Sequence, residues 1–152
     1  MIRLSKILIG IALLAAQLAP AVADNQTKVL VLATDSHTGI SPLPITRVRA
    51  LFMGVPVVVD DIRLRPVLNE TDMTLREVFL QKVLFVSWSH YQRRLLEDSF
   101  RSGWPVPVTA TDAYALQRAL HEQAGADTYM WKDDAGRMGF KVVQVLWSGP
   151  VN

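Results

Sequence analysis

Apolar positions fall along this chain in two alternating patterns, unbroken runs and runs with helical spacing. Lys28–Ala33 is continuously apolar after its lysine, the pattern of a strand buried on both faces of an α/β sheet. It ends in a polar loop, Thr34–Gly39. Ile45, Val48, Leu51 and Phe52 then form a helical stripe entered at Pro44 and closed by Gly54. Val55–Val59 and Ile62–Leu68 flank Asp60-Asp61, which predicts two strands around a tight reversal. Leu75, Val78, Phe79 and Val83 share one face of the next helix, with Thr74 and Glu77 spaced as a capping box. A helix over Ser89–Ser102 turns Tyr91, Leu95, Leu96 and Phe100 inward and ends at Gly103. Trp104–Val108 holds Pro105 and Pro107 and reads as an extended connector. Thr111 caps a helix over Asp112–Ala124 with Ala113, Leu116 and Leu120 on its core stripe. Thr128–Trp131 and Lys141–Trp147 read as strands around a turn at Asp133–Gly136. Strands alternating with helices predict an α/β fold, a mixed sheet with helices packed on it.

The first residues change the count. Arg3 and Lys6 precede an apolar run from Ile7 to Leu18, then Pro20 and Ala21-Val22-Ala23. That is the pattern of a secretory signal peptide over residues 1–23, cleaved before Asp24. The run is short for a bilayer span, so the expectation is an exported, periplasmic protein with no membrane insertion after cleavage. Residues 24–152 then form one domain with one core. Arg3 and Lys6 account for the whole formal charge of +2, which leaves the mature chain neutral and argues against nucleic acid. With no cysteine, disulfides, thiolate metal sites and cysteine nucleophiles are excluded.

Candidate chemistry is sparse. His37, His90 and His121 lack metal-ligand spacing, so no metal or cofactor is expected. No nucleophile motif occurs, and the adjacency of Asp35, Ser36 and His37 is not triad geometry; the chain is expected not to be an enzyme. A strand feeding a helix N-terminus presents free N–H groups and the positive end of a dipole. That makes Asn69, Thr71, Thr74 and Arg76 candidates for an anion pocket. Ser36 and Thr38 join them because they follow a strand end of an α/β sheet. Each also has a plainer reading: Thr74 as a helix cap, Thr71 as a turn residue, Arg76 as a solvated side chain, and Ser36 and Thr38 as an ordinary polar loop.

The order of motifs resembles the short members of the phosphate-binding proteins of ABC uptake systems. The resemblance is carried by Leu51–Gly54, Pro66-Val67, Leu75–Phe79 with Val83-Leu84, Phe100–Gly103 followed by Pro105 and Pro107, and Gly125-Ala126 with Tyr129. It implies a type II periplasmic-binding-protein fold of about one lobe's size, binding phosphate or a related small anion. The Ser-Gly-Thr cradle of that family is replaced here by Asn69–Leu75, which contains no glycine and adds the charge of Glu70.

Two functions are therefore expected. The first is an exported solute-binding-protein-like domain that binds a phosphate-like anion in support of uptake or sensing. The alternative is a ligand-free interaction module of the same fold that docks on a membrane transporter or sensor. A lone lobe exposes a face its partner lobe would cover, and Trp88, Trp104 and Trp131 are expected to mark such a contact patch.

Overall fold

The structure, a computed structural model, describes residues 26–151; the expected signal peptide and its cleavage site lie outside them. The first strand, β1 (Thr27–Thr34), is unbroken in its apolar character because protein covers both its faces. Leu30 and Leu32 enter one core, Val31 and Ala33 the other, and all four are fully buried. Helix α1 (Ile45–Phe52) follows Pro44 and buries Val48, Leu51 and Phe52, while Ile45 is half-buried. The expected reversal is present: β2 (Val58–Val59) pairs with β3 (Ile62–Arg63), and Asp60 and Asp61 turn the chain with φ of 50° and 62°. Next comes β4 (Arg65–Asn69), which feeds α2 (Met73–Val78).

Helix α2 widens into a π-helical segment, Phe79–Leu84, that stops at Phe85 in the left-handed region. The remaining elements are α3 (Trp88–Ser102), β5 (Val108–Ala110), α4 (Ala113–Glu122), β6 (Ala126–Trp131), α5 (Lys132–Met138) and β7 (Lys141–Pro150). The sheet runs β5-β4-β6-β1-β7. β4 is parallel to both β5 and β6, whereas β1 is antiparallel to β6 and β7. This is the mixed sheet expected. One face packs on α1, α2, the π segment and α3; the other packs on α4 and α5. Phe79 stacks on Tyr129 with centroids 3.8 Å apart, and Phe52 meets both rings edge-on.

Several expectations are corrected. The turn at Asp133–Gly136 is helix α5: Asp133 and Asp134 complement the positive end of its dipole, Ala135 is buried, and Gly139 closes it. β6 and β7 accordingly flank β1 instead of pairing with each other. Asp112, not Thr111, caps α4 by accepting the Ala115 N–H, and Ala113 is exposed. On α3 only Tyr91 and Leu95 are buried; Leu96 is 54% exposed and Phe100 90%, because among the described residues no element covers that side of the helix.

Candidate functional site

β4 ends at Asn69, and three residues, Glu70, Thr71 and Asp72, turn the chain into α2. The turn is built by side chains bonding backbone nearby. Asn69 is buried and donates through Nδ2 to the Tyr129 carbonyl at 3.1 Å, which ties the loop to β6. Its Oδ1 accepts the Thr71 N–H at 3.1 Å and the Thr71 hydroxyl at 2.6 Å. Asp72, in extended conformation, is the N-cap of α2. Its Oδ1 accepts the N–H groups of Thr74 at 2.8 Å and Leu75 at 3.2 Å, and its Oδ2 accepts the Trp131 indole N–H at 3.0 Å. Thr74 is therefore a capped residue and not the cap; its side chain is exposed. The Glu70 N–H goes to the Ala110 carbonyl.

Arg76 lies one turn into the helix, but its guanidinium is held inside the chain. It pairs with Glu70 at 3.7 Å and Glu77 at 3.4 Å, and sits 4.5 Å over the Trp88 ring. Its Nε is buried without a partner. Two carboxylates, Glu70 and Glu77, thus share one guanidinium, and a third, Asp72, caps the same helix. An arriving anion about 6 Å from a carboxylate is repelled by roughly 1–3 kcal/mol at an effective dielectric of 20 to 80. The donors that make a helix N-terminus attractive to anions are occupied by Asp72.

Ser36 and Thr38 stand elsewhere. β1 is antiparallel to β6, and Thr34 lies beside Asp127 at the start of that strand, whereas Asn69 bonds near its end. Their loop is therefore at the opposite edge of the sheet from Asn69, Thr71, Thr74 and Arg76. It is organised by Asp35, whose carboxylate accepts the His37 N–H at 2.8 Å and pairs with His121. Those bonds, the His37 N–H first, hold the Asp35 carboxyl below the usual range. The structure joins four of the six candidates and separates two.

Sequence reasoning noted the charge of Glu70 beside the loop but missed that Glu70 and Glu77 both pair with Arg76. Glu70 and Glu77 reach Arg76 by local geometry, and Trp131, expected on a contact patch, is buried with its N–H on Asp72. It also missed Asp127. This side chain is buried in the middle of the sheet and neither carboxyl oxygen has a partner. Burial pushes its pKa up to about 8. Among the described residues no group of three or more His, Cys, Asp or Glu is placed to hold a metal ion. No helix of the described residues is long and apolar enough to cross a membrane.

No family model and no curated protein matches the chain. Solved structures do. The ABC-type phosphate transport receptor from Vibrio cholerae superposes with a TM-score of 0.60 at 9% identity, over 82% of this chain and 55% of that one. PstS from Borrelia burgdorferi gives 0.54 at 8% identity, over 78% and 47%. The chain spans about half the length of these receptors. The resemblance read from the sequence and the likeness in three dimensions point the same way: this chain has the mixed α/β, periplasmic-binding-protein-like fold of phosphate transport receptors.

Proposed function

We propose that this chain is an exported, non-enzymatic solute-binding-protein-like domain that serves uptake or sensing by docking on a membrane transporter or sensor, without a tightly held oxyanion. The observation that carries this reading is the internal satisfaction of the Asn69–Arg76 loop: Asp72 takes the helix N–H groups and Glu70 and Glu77 take Arg76. Docking is supported by the outer side of α3, where Leu96 and Phe100 stand one turn apart and exposed. Leu96 also borders a smaller groove that it shares with Trp88 and Val106. Apolar surface of this kind rimmed by charge marks contact sites on soluble proteins.

A photo-crosslinking side chain in place of Phe100 tests the reading in cells. An adduct with an integral membrane transport or sensing protein, absent when the crosslinker replaces Glu122 on the far helix layer, is the expected result. No adduct from position 100 or 96, or the same adducts from position 122, overturns it.

A second reading keeps phosphate or a related small anion at Asn69, Thr71, Thr74 and Arg76. Two observations favour it, the likeness to phosphate receptors and the partnerless Nε of Arg76. It requires the anion to compete with Asp72 for the helix N–H groups.

A further inference from the structure

At the N-terminal ends of β4 and β5, the sheet edge opposite the Asn69–Arg76 loop, lies a cleft of about 470 Å³. Its walls include Val55 and Pro56 beyond α1, Arg63 and Arg65 on either side of Leu64, and the connector from Trp104 to Val108. Its volume is within the usual range for small-molecule sites. No carboxylate lines it. Among the described residues neither the Arg63 nor the Arg65 guanidinium has a partner. Two unneutralised positive charges beside apolar walls and a part-exposed indole define the ligand's chemistry. It carries a planar anionic group, which guanidinium forks match, and a flat apolar body for the tryptophan.

The site is held in shape by backbone. The Leu64 N–H bonds the Val57 carbonyl at 2.9 Å, and the Arg65 N–H bonds the Gly125 carbonyl at 2.8 Å. Gly125 has φ +78°, and a Cβ there would lie 2.3 Å from the Arg63 carbonyl oxygen, so only glycine allows this approach. The arginines therefore stand on a fixed backbone before any ligand arrives. Pro105 and Pro107 have no N–H, so the connector offers no row of donors to which an extended peptide could add as a strand. That selects a small molecule over a peptide.

We propose that this cleft binds a small planar organic anion of the carboxylate or sulfonate class, with the acid group between Arg63 and Arg65 and the ring against Trp104. It does not depend on the docking reading: Leu96 and Phe100 do not line the cleft, and Val106 is the wall residue it shares with the α3 groove.

The test uses the full chain and two probes of similar shape, 8-anilinonaphthalene-1-sulfonate and its uncharged counterpart N-phenyl-1-naphthylamine. The expected result is one sulfonate probe per chain, excited by energy transfer from tryptophan. In the Arg63→Gln/Arg65→Gln variant its affinity falls at least tenfold while the uncharged probe stays within twofold; Trp104→Ala weakens both. Unchanged sulfonate binding in the double variant, or loss of both probes through Phe100→Ser, overturns the proposal. If the double variant melts low, Arg65→Gln alone carries the comparison under the same criteria.

Discussion

Asp72 does two things with one carboxylate: it closes the first turn of α2 and, through Trp131, ties that turn to the end of β6. Replacing an N-cap of this kind by alanine costs about 1–2 kcal/mol. Asp72→Ala is therefore expected to lower stability by that amount in urea denaturation, whereas Thr74→Ala, at an exposed and merely capped position, stays within about 0.5 kcal/mol. The capping box visible in the sequence predicts the opposite ranking. Spacing alone could not choose between two adjacent oxygen-bearing side chains. The choice is made by the extended backbone at Asp72, which aims its carboxylate at the two N–H groups.

Asp127 makes a second prediction at the same scale. Its folded pKa, up to about 8, lies above the ordinary 3.8, so between those values the native state holds a proton the unfolded state has released. Its contribution to stability is present below about pH 4 and is lost as the pH rises toward 8. Thermal melts across that window should show Asp127→Asn gaining on the wild type as the pH rises. A constant difference between pH 4 and pH 8 would contradict the burial argument.

At the scale of elements, the legible parts are those whose pattern depends on burial alone. β1 was readable because Leu30–Ala33 is covered on both faces, but an unbroken apolar run carries no information on strand direction, and the antiparallel neighbours were not foreseeable. That direction separates Ser36 and Thr38 from the other candidates. Helix α5 has seven residues, too few for a 3.6-residue period to stand out beside a glycine and two aspartates. On α3 the period was real while its width misled: a stripe shows which side is apolar, not whether a partner covers it. The β2–β3 unit gives the prediction here. Gly125→Ala places a Cβ against the Arg63 carbonyl at positive φ. It should destabilise the fold by about 2 kcal/mol or more, read as a lower urea midpoint with an unchanged slope.

Taken whole, the molecule matches about half the length of a phosphate receptor and keeps a complete two-sided core of its own. The described surface carries an acidic, self-satisfied loop after β4, an exposed apolar side on α3, and a basic cleft at the other edge of the sheet. Glu70 borders the α3 groove, and the cleft meets that groove at Val106. The fold class was legible because alternating strands and helices leave few architectures. The chemistry of the loop was not, since the same residues read as an anion cradle until their partners are known.

Isothermal titration of the full chain with phosphate, followed by melts at the same concentrations, tests that difference most directly. A ligand present at a hundred times its dissociation constant adds about 2.7 kcal/mol to stability. With Asp72 occupying the helix N–H groups and Arg76 already paired, millimolar phosphate is expected to give no saturable heat and no rise in melting temperature. Saturable micromolar binding that disappears in Arg76→Ala and weakens in Thr71→Ala would contradict the account.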